Sequence, residues 1–136
     1  MQHEPPRSAL LAREWLVKAQ HDLEGAERAI LEPPLTDLVA FHAQQAAEKA
    51  LKGYLAWRDL AFERTHELVS LLSLTAELDP DFASLEPMAA LLTPYAIDPR
   101  YPGRAELTVE EAAEALDAAR HVVGFVAQRL PPEARP

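Results

Sequence analysis

An all-α, up-and-down bundle of four to five helices is the fold this sequence predicts, and three observations carry the prediction. Apolar residues recur at alternating steps of three and four through most of the chain, the period of one helix face. Most of the twelve prolines fall at the two ends and in the gaps between those periodic runs, where they break helices. No hairpin dipeptide and no sustained alternation of apolar and polar residues marks a strand. Three long helices and two shorter ones joined by brief loops then bury their stripes against one another.

The first helix is expected from Ser8 to Leu31, with Ala12, Leu16, Ala19, Leu23, Ala26 and Ile30 on its stripe, and Pro33-Pro34 stops it. The second runs from Asp37 to about Leu60. Val39, Ala43, Ala46, Ala50, Tyr54 and Trp57 form one stripe of it, which Ala40, Ala47, Leu51 and Leu55 widen. An apolar surface that broad needs several neighbours, so this helix belongs at the centre, where its alanines allow close approach. Thr65 is the expected N-cap of a third helix carrying Leu68, Leu71, Leu72 and Leu74, because its hydroxyl can accept from an unpaired backbone N–H. Asp79-Pro80-Asp81 ends that helix. Phe82, Leu85, Ala89, Leu92 and Tyr95 then recur at helical spacing, which requires Pro87 to lie in a first turn. After a loop from Ile97 to Leu107, Thr108 and Glu111 form the T-x-x-E pattern of a capping box. Val109, Ala112, Leu116, Ala119, Val123, Val126 and Leu130 keep the spacing until Pro131-Pro132. One domain over residues 8–131 is expected, with 1–7 and 132–136 as flexible termini.

Composition narrows the function classes. At 136 residues, 49% hydrophobic and 26% charged, the chain has the balance of a globular domain. Without Cys there is no disulfide framework and no thiolate metal site. The start lacks a signal-peptide stretch and no run is long enough to span a bilayer, so a cytoplasmic protein with no membrane partner is expected. A net charge of −9 opposes autonomous, sequence-blind nucleic-acid binding, and no DNA partner is expected. The four glycines are too far apart to build a Walker loop or a dinucleotide-binding turn. Glu63-x-x-His66 has no second copy and there is no HExxH, so no metal is expected. No Cys or nucleophile-elbow Ser is available for covalent catalysis.

The informative polar residues lie in three places. His42, Gln45, Lys49 and Lys52 share one face of the second helix. They read either as a solvated face with a Glu48–Lys52 pair, worth about 0.2–0.5 kcal/mol, or as an anion-binding strip. In the second reading the lysines and histidine receive phosphate while Gln45 reads a base or ribose. Arg58, Arg64 and His66 follow, near the start of the third helix, whose N–H groups attract phosphate; as a bland alternative they solvate a loop. Arg100 and Tyr101 sit in a Pro-restricted loop with Arg104 beyond them. There Tyr101 reads equally as a plug for the end of the core.

Trp15 through Asp22-Leu23, the block Phe41-His42-Ala43-Gln44-Gln45-Ala46-Ala47-Glu48-Lys49-Ala50-Leu51-Lys52, Thr65-His66-Glu67-Leu68, Arg100-Tyr101-Pro102-Gly103 and the Glu/Ala-rich last helix together resemble the HEPN family. The resemblance spans about Arg13 to Leu130. It implies an HEPN-like bundle that commonly forms a homodimer. Such proteins are encoded beside a minimal nucleotidyltransferase in toxin–antitoxin pairs or stand alone as nucleotide-binding modules. Many members are metal-independent endoribonucleases that use an Arg followed by a His after four to six intervening residues. This chain departs from that pattern. Over those offsets Arg100 reaches only Ala105, Glu106 and Leu107, and Arg58 misses His66 by one residue.

The leading expectation is therefore a nucleotide-binding or nucleotidyltransferase-partner module, working through His42, Gln45, Lys49, Lys52, Arg100 and Tyr101. No cofactor is required beyond a nucleotide ligand, and RNA remains open as a partner. The alternative is an endoribonuclease toxin with a displaced Arg/His pair drawn from Arg58, His66 and Arg100. A second alternative is a purely structural, dimerising bundle.

Overall fold

The computed structural model describes residues 4–62, 67–103 and 105–136, and every regular element among them is helical. Helices α1 (Arg7–Ala29), α2 (Thr36–Trp57), α3 (Leu68–Leu78), α4 (Glu86–Leu92) and α5 (Val109–Arg129) follow in chain order. Short 3-10 turns occupy Pro80–Leu85, Thr93–Ala96 and Pro132–Ala134. Helix α2 is central, packed along α1 on one side and α5 on another, with α3 and α4 closing the bundle. Its alanines at 40, 43, 46, 47 and 50 are buried, which is the broad apolar surface that the doubled stripe foretold. Tyr54, Phe82 and Phe125 then stack across the core at centroid distances of 4.4 and 5.1 Å.

Helix ends follow local chemistry. The capping box at α5 is complete: Glu111 N–H donates to Thr108 Oγ1 at 3.0 Å and Thr108 N–H to Glu111 Oε1 at 3.1 Å. Pro87 sits in the first turn of α4, where a missing N–H costs nothing. The fourth periodic segment is nevertheless not one helix. Asp79 caps the 3-10 turn at 80–85, α4 follows for seven residues, and Pro94 turns the chain into 3-10 geometry again. Helix α3 begins at Leu68 with Glu67 in the cap position, while Thr65 lies outside the described residues. The C-terminal residues expected to trail freely are instead folded back. Ala134 is fully buried, Arg13 donates to the carbonyl of Glu133, and Arg135 Nε donates to the carbonyl of Leu130 at 2.8 Å. A small apolar side chain after Pro131-Pro132 fills the gap between α1 and the end of α5.

Gly53 marks the closest approach of α2 to α1. A Cβ there would lie 2.5 Å from Leu16 Cδ2, 3.1 Å from Trp15 Cβ and 3.4 Å from the Ala12 carbonyl oxygen. Gly124 on α5 is open, with nothing within 4 Å of such a Cβ. Alanine gains about 1 kcal/mol of helix propensity over glycine at either position. At Gly53, overpacking by about 1–3 kcal/mol opposes that gain, because Leu16 is itself buried. Urea denaturation is expected to show Gly124→Ala more stable than wild type by about 0.5–1 kcal/mol and Gly53→Ala less stable. Equal gains at both sites would contradict the close packing of α1 on α2.

Candidate functional site

The α2 polar face is built against α1. His42 and Lys49 lie two turns apart on α2, and both point at Asp22 of α1, whose side chain is 11% exposed. His42 Nδ1 is 2.9 Å from Asp22 Oδ1, and Lys49 Nζ donates to Oδ2 at 2.6 Å. A carboxylate only accepts, so His42 Nδ1 carries the proton and donates in this contact. Gly25 of α1 lies against the same ring, where a Cβ would come within 3.5 Å of it.

One turn further, Lys52 Nζ donates to Glu48 Oε1 at 2.6 Å, and these side chains are only 10% and 3% exposed. Gln44 and Gln45 Nε2 donate to the other Glu48 oxygen at 3.2 and 3.3 Å. The ammonium also sits 5.7 Å from the Trp15 ring and 5.9 Å from Phe62. The Glu48–Lys52 pair is thus no solvated i,i+4 pair. It is desolvated inside the bundle, where each charge needs the other.

The loop residues form a second layer. Arg100 grips Asp98 through Nε at 2.9 Å and NH2 at 2.6 Å, and its guanidinium stacks 4.1 Å from the centroid of Phe41. Phe41 in turn meets the His42 ring edge-on at 5.3 Å. The Arg100 side-chain hydrogen bond holds the Asp98 carboxyl below the usual carboxylate range, and Asp98 raises Arg100 in return. Tyr101 is 66% exposed, so it does not plug the core. It lines a cleft of about 350 Å³ with Leu35, Asp37, Arg100, Glu106 and Leu107, at the start of α2.

The expected residues therefore divide. His42 and Lys49 converge through Asp22, and Arg100 joins them through Phe41, whereas Gln45 and Lys52 belong to the separate Glu48 network. Arg58 donates to the Tyr54 hydroxyl at 2.9 Å at the far end of α2. His66, Arg64 and Arg104 lie outside the described residues, as does Glu63. Among the described residues no three His, Asp or Glu side chains are grouped to hold a metal. Asp22 was the residue missed. Its signal was an acid beside Leu23, between Ala19 and Ala26, on a face that the bundle buries.

This arrangement can be set beside known proteins. The family model described as HEPN domain matches residues 12–130. The chain belongs to the HEPN family. Among solved structures, the HEPN bundle is similar to TT1696 from Thermus thermophilus, with a TM-score of 0.74 and 36% identity, covering 88% of this chain and 98% of that one. It is also similar to ST0689, an archaeal HEPN homologue, with a TM-score of 0.70 and 28% identity over 87% of this chain and 96% of that one. No curated protein matches. No helix among the described residues is long and apolar enough to cross a membrane.

Asp22 accepts from both the His42 imidazole and the Lys49 ammonium, so its removal leaves both without their partner between α1 and α2. Asp22→Ala is expected to cost about 1–3 kcal/mol in urea denaturation. Lys49→Met should cost less, since His42 keeps its carboxylate. A loss no larger than that of an exposed control such as Glu77→Ala would remove Asp22 from its structural role.

Proposed function

We propose that this HEPN protein acts as a partner-binding module whose counterpart is a minimal nucleotidyltransferase, as in toxin–antitoxin pairs, and that the contact is made by the loop end of the bundle. One observation carries the reading. The cations that an anion-binding strip would need are already matched: Lys49 by Asp22, Lys52 by Glu48 and Arg100 by Asp98. A phosphate would have to displace a carboxylate at each, two of them at poorly exposed positions.

The loop end offers different chemistry. Leu35 and Tyr101 border the same cleft with 54% and 66% of their surface exposed, and Leu31 and Ile97 of the same two loops are exposed as well. Apolar side chains around a Tyr and a fixed Arg are the composition of an interface centre. Arg100 is held rigid by Asp98 and Phe41, so little side-chain entropy is lost when a partner covers it. In this reading nucleotide enters with the partner.

The test is co-expression with the minimal nucleotidyltransferases of the same genome, followed by purification and calorimetry. A stoichiometric complex is expected, weakened at least tenfold by Leu35→Ser or Tyr101→Ala while thermal unfolding stays unchanged. ATP titrated into the HEPN protein alone should give no heat. Saturable heat that vanishes in Lys49→Ala would instead favour the nucleotide-binding reading. A self-associating protein that takes neither nucleotidyltransferase nor ATP would favour the purely structural one.

A further inference from the structure

A second surface lies away from the loop end, between α4 and α5. Met88 and Leu91 of α4 face Ala118 of α5 across an open groove of about 400 Å³. Leu91 is 36% exposed there, an apolar side chain that no neighbour within the bundle covers fully. The α5 wall is acidic. Glu114 and Asp117 stand one turn apart at the groove, and the Asp117 side chain is 76% exposed.

One guanidinium borders this wall, and it does not belong to the wall alone. Arg120 NH1 reaches Asp117 at 3.2 Å, but its NH2 is also 3.5 Å from Glu27, so one guanidinium is divided between two carboxylates. His121 lines the same groove. Tyr95 reports the field at the neighbouring end of α4. Its phenol is pushed above the ordinary tyrosine range by burial first, then by Glu111 and Glu114.

We propose that the α4–α5 groove is a docking site for a short cationic, amphipathic segment of a partner protein. The apolar side chains of that segment seat on Met88 and Leu91, and its Lys or Arg side chains meet Glu114 and Asp117. Charge complementarity selects this occupant: the acidic wall and the net charge of −9 repel nucleic acid and anionic lipid and attract a basic chain. Length fits as well. From Glu114 to His121 the α5 wall runs about 10 Å, the rise of two helical turns. An apolar face at i, i+3 and i+4 on such a segment would match Met88 and Leu91. The site does not depend on the loop-end surface, so either can fail without the other.

The test is fluorescence anisotropy with a labelled amphipathic Leu/Lys peptide, a scrambled peptide of the same composition, and the matching Leu/Glu peptide. Binding is expected for the first alone. It should fall at least tenfold in Leu91→Ser and in the double reversal Glu114→Lys with Asp117→Lys. The reversal Glu4→Lys with Glu77→Lys, at exposed acids outside the groove, should leave it within twofold. Far-ultraviolet circular dichroism checks folding of each variant, and the conservative pair Met88→Gln and Leu91→Gln replaces any that unfolds. Equal binding of the scrambled peptide, equal loss in the control reversal, or no binding by the Leu/Lys peptide would overturn the proposal.

Discussion

Helices α1 and α2 approach one another only as closely as their facing side chains permit, and in this protein those side chains are small. Ala12, Ala19 and Ala26 of α1 and Ala43, Ala46 and Ala50 of α2 are fully buried, and Gly53 leaves no room for even one methyl group. Close approach brings dispersion contacts along both helices, but it also strips water from whatever polar group lies on the same faces. Asp22 of α1 lies there, and Gln44, Glu48 and Lys52 of α2 are buried polar residues as well. Each is paired inside the bundle, Asp22 with His42 and Lys49 across the two helices, and Glu48 with Gln44, Gln45 and Lys52 along α2.

That coupling decides what the block can do. An ammonium or imidazole receives phosphate well when its charge is otherwise unmet, as on an exposed basic strip. Here Lys49 spends its charge on Asp22 two turns from where His42 meets the same carboxylate, and Lys52 lies between Glu48 and the rings of Trp15 and Phe62. The same spacing places paired groups along α2, His42 and Lys49 on Asp22 of α1 and Lys52 on Glu48 of its own helix. Such pairs rarely add much stability relative to apolar packing, yet breaking one half leaves a charge uncompensated. The recognition surfaces proposed above lie outside these pairs, at the loop end and along α4 and α5.

The bundle was legible because its determinants are local. Alternating steps of three and four, prolines in the gaps, and the Thr108–Glu111 box act within one or two turns, and α1, α2, α3 and α5 appear where those patterns fall. Elements governed by distant contacts were not legible. The Asp22 pairing joins residues 20 and 27 positions apart, and no periodicity on α2 alone announces it. Phe82 and Leu85 keep helical spacing but sit in a 3-10 turn, because Asp79 caps Pro80–Leu85 and Pro87 starts a fresh helix. The terminal Pro-rich residues read as a tail, yet Ala134 is small enough to enter the space beside α1. Tyr101 failed as a plug for a related reason: Arg100, anchored to Asp98 and Phe41, already closes the loop against α2, so the next side chain turns outward.

The same arithmetic of charge governs what can approach from outside. Twenty-two acids against thirteen Lys and Arg leave a surplus of carboxylates, and several of the cations are consumed by partners on their own chain. An ion pair removes one charge of each sign, so pairing inside the bundle cannot reduce that surplus; it only moves it toward the surface. Glu110, Glu114 and Asp117 on the outer side of α5 are part of it, all exposed. A partner surface bearing Lys or Arg is accelerated toward such a field, whereas the phosphate backbone of a nucleic acid is slowed. Family membership in HEPN establishes the bundle, and the sign of its exterior is the argument for a basic protein segment as the proposed partner.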